Sequence, residues 1–388
     1  MDLEAFAFLL TDQGQRLLGS AAALVEQNPM RATAALRREA AADHAAAALT
    51  QARLRVKASA KFGDLAARMY FTSDGLEQAT SGRVARHRAA RVALAEPASV
   101  LDAGCGIGAD LVAFASAGLT TAAVDRDSLR VAVARANLAA LGLGGAVQVA
   151  DVADLDLSGF GVVFADPARR TARGRVFDPE GWSPPWSWVT ELLQRQSCVK
   201  VAPGIPHATI PEGVEAEWVS ERGEVKEAAL WSPQLAGARR RATVVGRGGL
   251  ATLTDEDDPG AGVRPVGRFL YEPDGAVIRA GLVTAVAAGV HGGLLDRHIA
   301  YVTSDEAFST PFAAAYGVLE ELPYQEKALR GALRARGIGR LTIKKRGVQV
   351  VPETLRRKLQ LRGDEEGTVV LTRVAGKGTV LLVRPLAF

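Results

Sequence analysis

The carboxylates and glycines between residues 99 and 125 are the residues of this chain best suited to bind a ligand. Segment 99–110 reads SVLDAGCGIGAD, an apolar run that leads into a glycine-rich turn. Glycines let backbone approach a ligand closely, where a side chain would collide with it. About 20 residues later, Asp125 ends a second apolar run, where nucleotide-binding folds place a carboxylate for two ribose hydroxyls. These residues predict a cofactor that contains adenosine.

NAD is the competing cofactor, because Gly104 and Gly106 also fit the looser dinucleotide fingerprint. Asp102 argues against NAD, since a carboxylate two residues before the first glycine would repel a pyrophosphate. Gly108 completes the pattern D-x-G-x-G-x-G, which resembles the first motif of class I S-adenosylmethionine-dependent methyltransferases. Their cofactor carries an ammonium and a sulfonium and no phosphate. The resemblance implies S-adenosylmethionine, with Asp102 at the ammonium, the three glycines along the methionine and Asp125 at the ribose.

Two later carboxylates extend the resemblance. Asp151 follows the apolar segment 145–150, and in the family a carboxylate here takes the adenine amine. Capping of a loop is the alternative role for Asp151. Asp166 and Pro167 follow the apolar segment 161–165, at the end of a predicted strand where open α/β sheets keep their active sites. They resemble the D/N-P-P-x motif of methyltransferases that act on nucleic-acid bases and some other amines. The resemblance implies that Asp166 orients a target nitrogen and that Pro167 fixes the loop.

The residues after Pro167 depart from that motif. Ala168 replaces the second proline, and Arg169 replaces an aromatic residue, although a planar guanidinium can also stack on a base or hold a phosphate. The sequence D-P-A-R also resembles uridine carbon-5 methyltransferases of RNA, which need a cysteine nucleophile after the next strand. Cys198 stands at the start of that strand, so we favour a buried structural cysteine. We therefore predict Asp166, Pro167 and Arg169 as the catalytic residues for methylation of a base nitrogen.

The composition is typical of a soluble globular protein with several domains. The chain has 388 residues, of which 48% are hydrophobic and 23% charged. Two cysteines predict no disulfide framework and a reducing cytoplasm, and five scattered histidines predict no zinc site. The first residues lack the basic region of a signal peptide, and no apolar run reaches membrane-spanning length. We expect a cytoplasmic protein without a metal or a membrane partner.

Apolar periodicity and composition predict an α/β chain with additional smaller domains. The fold class that we expect is a Rossmann-like, seven-stranded methyltransferase sheet, closed by an antiparallel hairpin of strands near 215–220 and 242–246. Thr80, Ser81 and His87 are candidate cleft residues, with helix capping and surface roles favoured. The predicted domains are an N-terminal helical region (1–75), the methyltransferase domain (76–248), a small α+β, ferredoxin-like domain (249–318) and a second small domain (319–388).

The last of these regions is strongly basic. Residues 325–362 contain twelve lysines and arginines against two acids. Such an excess usually marks an anionic partner, most often a nucleic-acid backbone, and a solvated face is the alternative. Together with LEQATS at 76–81, DPARR at 166–170 and KKRG at 344–347, the layout resembles bacterial class I methyltransferases with a THUMP-like carboxyl-terminal domain. THUMP domains bind structured RNA, so the resemblance implies an RNA partner. The predicted RNA contacts are Lys327, Arg330, Arg334, Lys344, Lys345, Arg346, Arg356 and Arg357.

The residues and the resemblance together predict an S-adenosylmethionine-dependent methyltransferase that modifies a base nitrogen of RNA. One alternative is a methyltransferase for a small molecule or a protein. Another is an RNA-binding protein that holds the cofactor without turnover, against which the presence of Asp166 and Pro167 argues.

Overall fold

The computed structural model describes residues 1–168, 170–171, 174–175, 179–246 and 248–387. The predicted site residue Arg169 lies outside them. Contacts divide the chain into two compact units. Unit 1 contains residues 1–201, 208–214 and 229–236, and unit 2 contains residues 202–207, 215–228 and 237–388.

Unit 1 begins with helices. They are α1 (Leu3–Leu9), α2 (Asp12–Ala23), α3 (Pro29–Leu36), α4 (Ala42–Phe62), α5 (Ser73–Gln78) and α6 (Gly82–Ala93). Apolar side chains at helical spacing form their shared core, as Leu17, Leu18 and Ala21 do on α2. Thr72 and Ser81 begin α5 and α6 by accepting backbone N–H bonds within the first turn. The predicted capping role of Ser81 is therefore confirmed.

Two buried amides hold the segment before α5, one from within the helical region and one from α8 (Ser128–Leu141). Gln51 on α4 accepts a hydrogen bond from the Phe71 backbone N–H at 3.1 Å. Asn137 accepts one from the Tyr70 backbone N–H at 2.6 Å and donates to the Ile107 carbonyl at 2.8 Å. Both amides are fully buried, so these bonds fix the segment before α5 against the turn that holds Ile107.

The sheet of unit 1 is parallel, with strand order β3-β2-β1-β4-β7. Its strands are β1 (Val100–Ala103), β2 (Thr121–Asp125), β3 (Ala146–Val149), β4 (Val162–Ala165) and β7 (Ser197–Val201). The other elements of this part are α7 (Ala109–Ser116), α8 (Ser128–Leu141), β5 (Arg170–Thr171), β6 (Gly174–Arg175) and α9 (Trp186–Leu192). The strand order reverses between β1 and β4, and open α/β sheets bind ligands at the carboxyl ends of such strands.

Unit 2 corrects the predicted hairpin. Its first strands are β8 (Glu215–Glu221), β9 (Glu224–Trp231), β10 (Arg240–Gly246) and β11 (Gly249–Thr254), and β9 passes into unit 1 at residue 229. The predicted antiparallel partners, β8 and β10, pair in parallel instead. The hairpin joins β8 to β9 through Arg222 and Gly223, whose φ angles of 55° and 80° suit a tight two-residue turn. We missed this turn because its first position holds arginine rather than asparagine or aspartate.

A second sheet of unit 2 has the strand order β13-β14-β12-β15-β18-β17-β16. Its elements are β12 (Phe269–Pro273), α10 (Gly275–Ala280), α11 (Val283–Gly289), β13 (Gly293–Asp296), β14 (Ile299–Ser304), β15 (Ala313–Leu322), α12 (Glu326–Ala335), β16 (Ile338–Lys345), α13 (Pro352–Leu359), β17 (Glu365–Val374) and β18 (Lys377–Pro385). β15 crosses the boundary predicted at residue 318, so the two small domains stay a prediction. Helices α12 and α13 pack on one sheet face through Leu329, Leu333 and Leu359. A separate apolar cluster fills the other face.

The described helices include none with the length and apolar character that crossing a membrane requires. Within the same residues, no cluster of His, Cys, Asp and Glu has the grouping of a metal site.

Candidate active site

The glycine turn between β1 and α7 has the open conformation that its sequence predicts. Gly104, Gly106 and Gly108 have φ angles of 91°, 55° and 82°, which L-residues with side chains rarely adopt. A Cβ atom at Gly108 would also lie 3.1 Å from the Ala134 side chain on α8, whereas the space around Gly106 is open. The turn thus leaves bare backbone at the carboxyl end of β1.

Asp125 is fixed beside this turn at the end of β2. Its Oδ2 accepts a hydrogen bond from the Gly106 backbone N–H at 2.9 Å, and its Oδ1 accepts one from the Asp127 N–H at 3.0 Å. Because each carboxylate oxygen has two lone pairs, Asp125 can accept further bonds from hydroxyl donors. Asp127 also lines a cavity of about 260 Å³ with Thr72, Ser73 and Arg130.

Asp102 is a buried carboxylate whose position suits a cationic group. Asp102 lies on β1 and is only 2% exposed. Its Oδ2 has no hydrogen-bond partner among the described residues. Burial raises the pKa of Asp102 well above its usual range, the charge of Asp110 adds to this, and the charge of Arg88 opposes it. An ammonium would supply both the missing donor and the compensating charge, so the residues present fit the methionine end of S-adenosylmethionine.

Arg88 and Asp110 form a buried ion pair that sequence reasoning missed. Arg88 is on α6 and Asp110 is in the first turn of α7. The Arg88 guanidinium also lies 4.5 Å from the centre of the Phe164 ring. A signal was present in the sequence, because Arg88 falls at helical spacing between Val84 and Val92, on the buried side of α6.

Asp166 is paired with a lysine that was also missed. Lys200 on β7 places its Nζ 2.6 Å from Asp166 Oδ2 and 3.3 Å from Thr80 Oγ1. The Lys200 side chain is 11% exposed and that of Asp166 33% exposed. The backbone carbonyl oxygen of Asp166 would lie 4.0 Å from a Cβ at Gly104, so the Asp166 backbone adjoins the glycine turn. The Asp166 carboxylate is also close enough for its charge to raise the pKa of Asp102. A lysine inside the apolar strand segment 197–201 was the signal that could have revealed the pair.

Three further residues of unit 1 that the sequence analysis singled out, Pro167, Asp151 and Cys198, differ in burial and in hydrogen bonding. Pro167 is buried directly after Asp166. Asp151 Oδ1 accepts a hydrogen bond from the Ala153 N–H at 3.0 Å, and its Oδ2 lies 3.5 Å from Arg126 Nη1. Asp151 therefore caps a loop, and its contact with adenine stays a prediction. Cys198 is fully buried near the start of β7.

The predicted RNA contacts in unit 2 divide between the two faces of the second sheet. Lys345 follows Leu341 and Ile343 on the face that α12 and α13 cover, whereas Lys344 lies on the opposite face. Lys344 and Arg346 approach one carboxylate, Glu272, at 2.6 and 3.9 Å. The exposed members are Lys327, Arg334, Lys345, Arg356 and Arg357. Arg330 is half-buried and bonds to Glu326 at 3.2 Å.

Comparison with known proteins identifies similar sequences for most of the chain. An uncharacterized S-adenosylmethionine-dependent methyltransferase of Mycobacterium tuberculosis strain CDC 1551 is 39% identical over 339 residues, which are 84% of this chain and 92% of that protein. Its counterpart in strain H37Rv gives the same values. The family described as THUMP domain-like matches residues 313–385, and a domain of unknown function (DUF8688) matches residues 2–58.

A solved structure shares the fold. A protein from Porphyromonas gingivalis W83, designated a methyltransferase, superposes with a TM-score of 0.76 at 21% identity, covering 96% of this chain and 99% of that one. The predicted α/β methyltransferase fold and the predicted cofactor, S-adenosylmethionine, are confirmed, while the count of seven strands stays a prediction. The sequence identity to the mycobacterial proteins, over most of both chains, establishes that this chain belongs to the S-adenosylmethionine-dependent methyltransferases.

Proposed function

We propose that this methyltransferase acts in the cytoplasm on RNA and methylates a base nitrogen held by Asp166. The observation that carries the proposal is the Asp166 carboxylate beside the glycine turn, with one oxygen occupied and one available. Lys200 occupies Oδ2, while Oδ1 accepts no hydrogen bond from any residue that the structure describes. The side chain is one-third exposed, so a substrate N–H can reach it.

The cofactor supplies an electrophilic methyl group on a positively charged sulfur. Asp102 would hold its ammonium, the glycine turn its methionine portion and Asp125 its ribose hydroxyls, whereas the proposed contact of Asp151 with adenine depends on the family resemblance. Each of these residues lies at or just beyond the carboxyl end of β1, β2 or β3. The protein's contribution is therefore mainly to position two reactants in one cleft.

Asp166 would align the target nitrogen and receive its proton. Lys200 fixes the carboxylate from one side, so that Oδ1 can accept an N–H bond and direct the nitrogen lone pair toward the methyl group. The nitrogen loses a proton once it has been methylated, and Oδ1 would take that proton. Pro167 restricts the backbone that follows, and Arg169 would contact the base or a neighbouring phosphate.

An RNA substrate is supported by the carboxyl-terminal part of unit 2. The THUMP-like match spans residues 313–385, and its α12 and α13 carry exposed cations. Lys327, Arg356 and Arg357 are exposed there, and Lys345 is exposed on the strand that these helices cover. Cations spaced over one surface suit a phosphate backbone, whose binding depends on summed charge.

Nucleoside mass spectrometry tests the proposal. RNA from a strain that lacks the gene is incubated with enzyme and S-adenosylmethionine, digested and searched for new methylated nucleosides. We expect a base methylated on nitrogen with the native enzyme and none with Asp166→Asn, and we expect that variant to keep its cofactor affinity. Methylation of a small molecule or a protein, with no RNA product, would contradict the proposal.

A second variant tests the carbon-5 alternative. Cys198→Ala should retain methyl transfer, because Cys198 is buried near the start of β7, whereas Lys200 is near the strand's carboxyl end. Denaturing gels would show a covalent enzyme–RNA adduct if a cysteine nucleophile were used. An adduct that disappears in Cys198→Ala would replace the nitrogen mechanism with the carbon-5 mechanism.

A further inference from the structure

Five polar side chains meet on the face of the second sheet that α12 and α13 leave uncovered. Lys344 Nζ lies 2.6 Å from Glu272 Oε2, and the Tyr316 hydroxyl donates to the same oxygen at 3.2 Å. Arg346 Nη2 lies 3.9 Å from Glu272 Oε1, and its guanidinium is 5.4 Å from the centre of the Tyr301 ring. Two cations therefore face one carboxylate, which leaves a local excess of positive charge.

Two donors in this cluster have no acceptor among the residues that the structure describes. The Tyr301 hydroxyl is buried without a hydrogen-bond partner, and the whole residue is 0% exposed. Within the described part of the chain, the Arg346 guanidinium, whose side chain is 31% exposed, makes only the long contact with Glu272 and the ring contact. A buried donor without an acceptor costs stability, so a group that supplies acceptors would be favoured here.

The Tyr301 hydroxyl and the Lys344 ammonium keep their protons at neutral pH. Burial, followed by the charge of Glu272, raises the pKa of Tyr301 to about 12. Burial alone would lower the pKa of Lys344, but hydrogen bonds to Glu272 and Tyr316 outweigh it and raise that pKa. The cluster therefore presents an ammonium, a guanidinium and a phenolic O–H, and Glu272 is the carboxylate that faces them among the residues whose structure is described.

We propose that Arg346, Tyr301 and Lys344 form a phosphate-binding site. A phosphate has several acceptor oxygens and the charge that the two cations require, and a guanidinium fork matches its geometry. The site lies on the sheet face opposite α12 and α13. It is therefore distinct from the proposed RNA-docking surface, which consists of the exposed cations Lys327, Lys345, Arg356 and Arg357. The phosphate can belong to an RNA strand or to a free phosphorylated molecule.

Thermal unfolding in inorganic phosphate tests the site, with sodium chloride at equal ionic strength as the reference. A ligand that binds only the folded state raises the melting temperature, and the rise grows with the logarithm of the ligand concentration relative to Kd. We expect phosphate to raise the melting temperature of the native protein and of Arg340→Gln. Arg340 is the matched control, because it lies on β16 with Lys344 and is exposed. Among the described residues it pairs only with Glu366.

The site variants should separate binding from folding. Arg346→Gln and Tyr301→Phe should each weaken phosphate binding about tenfold or more, since a charged hydrogen bond is lost. Tyr301→Phe keeps the shape of the core and should fold, since it removes only the hydroxyl without a partner. Glu272→Gln should tighten binding, because it removes the competing negative charge. An equal response to phosphate in all variants, or none in the native protein, would overturn the site and leave the hydroxyl merely hydrated.

Competition identifies the source of the phosphate. A 5′-phosphorylated RNA oligonucleotide that displaces inorganic phosphate, where the 5′-hydroxyl form does not, would assign the site to an RNA terminus. Displacement by both forms would assign it to the RNA backbone. Phosphate binding without competition by RNA would support a small phosphorylated ligand. That last result keeps the site even if RNA methylation itself fails its own test.

Discussion

At the scale of single residues, three carboxylates of unit 1 owe different properties to different surroundings. Asp102 is enclosed and has one oxygen without a described partner, Asp125 accepts two backbone N–H bonds, and Asp166 is held by a lysine. The enclosed carboxylate suits a cation, and the bonded one suits neutral hydroxyls. The paired one has one oxygen that accepts no hydrogen bond from the described residues. Environment, rather than residue type, therefore assigns their proposed roles.

Cofactor binding should depend on pH through Asp102. Burial raises its pKa, so the folded protein retains a proton there that the unfolded chain would release. The resulting stability is full below the unfolded pKa and is lost as pH rises through the folded value. A cofactor ammonium favours the ionised carboxylate, so affinity should rise over that same range, with proton release on binding.

Calorimetry in two buffers of different ionisation enthalpy measures this release. Asp102→Asn should bind the cofactor more weakly and without proton release. A native protein whose affinity is independent of pH, with no proton exchanged, would show that Asp102 does not contact the ammonium.

Asp125→Ala should weaken S-adenosylmethionine binding by about 1–3 kcal/mol, the usual cost of leaving polar partners unpaired. The substitution removes the proposed acceptor of the ribose hydroxyls. It also removes the acceptor of the Gly106 N–H, which donates a hydrogen bond to Asp125 in the structure. Titration calorimetry gives the difference. Asp156→Ala is the matched control, since Asp156 is an exposed carboxylate that accepts hydrogen bonds from the backbone N–H of Ser158, at 2.8 Å, and from its side chain. Equal affinity of both folded variants would remove Asp125 from the site.

At the scale of elements, the Arg88–Asp110 pair joins α6 to α7, the helix that the glycine turn begins. Arg88→Met should lower the free energy of unfolding by about 3–5 kcal/mol, because Asp110 would remain buried without its charge partner. Arg86→Met, at an exposed position of the same helix, should change it by less than about 0.5 kcal/mol. Chemical denaturation measures both. A small effect at Arg88 would mean that water reaches Asp110 and replaces the pair.

The pairing of strands also determines which contacts could be predicted from the sequence alone. The glycine turn and Asp125 belong to one short pattern on neighbouring strands, so their spacing in the sequence was sufficient to predict that Asp125 lies beside the turn, where it accepts from Gly106. Lys200 and Asp166 are 34 residues apart, and their contact depends on β4 pairing with β7. The contact of Lys344 with Glu272 spans 72 residues and strands at distant places in the sheet order. Such pairs require the folded topology.

At the scale of the whole molecule, proposed RNA binding should be driven by charge. If about four phosphates are neutralised, log affinity should fall against log salt with a slope near −3. Replacing Lys327, Lys345, Arg356 and Arg357 with glutamine should flatten this slope and raise the apparent KM for RNA. Cofactor affinity should stay unchanged, because the proposed cofactor residues all lie in unit 1.

Three exposed cations of the helical region provide the control. Replacing Arg31, Arg37 and Arg38 with glutamine removes a similar charge elsewhere and should leave the slope near its native value. If both sets of replacements change the slope equally, attraction is spread over the whole protein and no docking surface exists. If neither changes it, RNA is held by other residues.

The hydrogen bonds of the Gln51 and Asn137 amides bear on whether residues 2–58 form a separate folding unit. Residues 2–58 match a sequence family of their own, which suggests a detachable segment. Gln51 nevertheless lies inside that segment and accepts a hydrogen bond from the Phe71 N–H outside it. Asn137 joins the neighbouring Tyr70 to Ile107 in the glycine turn. A boundary between sequence families is therefore not a boundary between folding units here. Cutting the chain at residue 58 would remove Gln51 and leave the Phe71 N–H without its acceptor, next to the Tyr70 that Asn137 joins to the glycine turn.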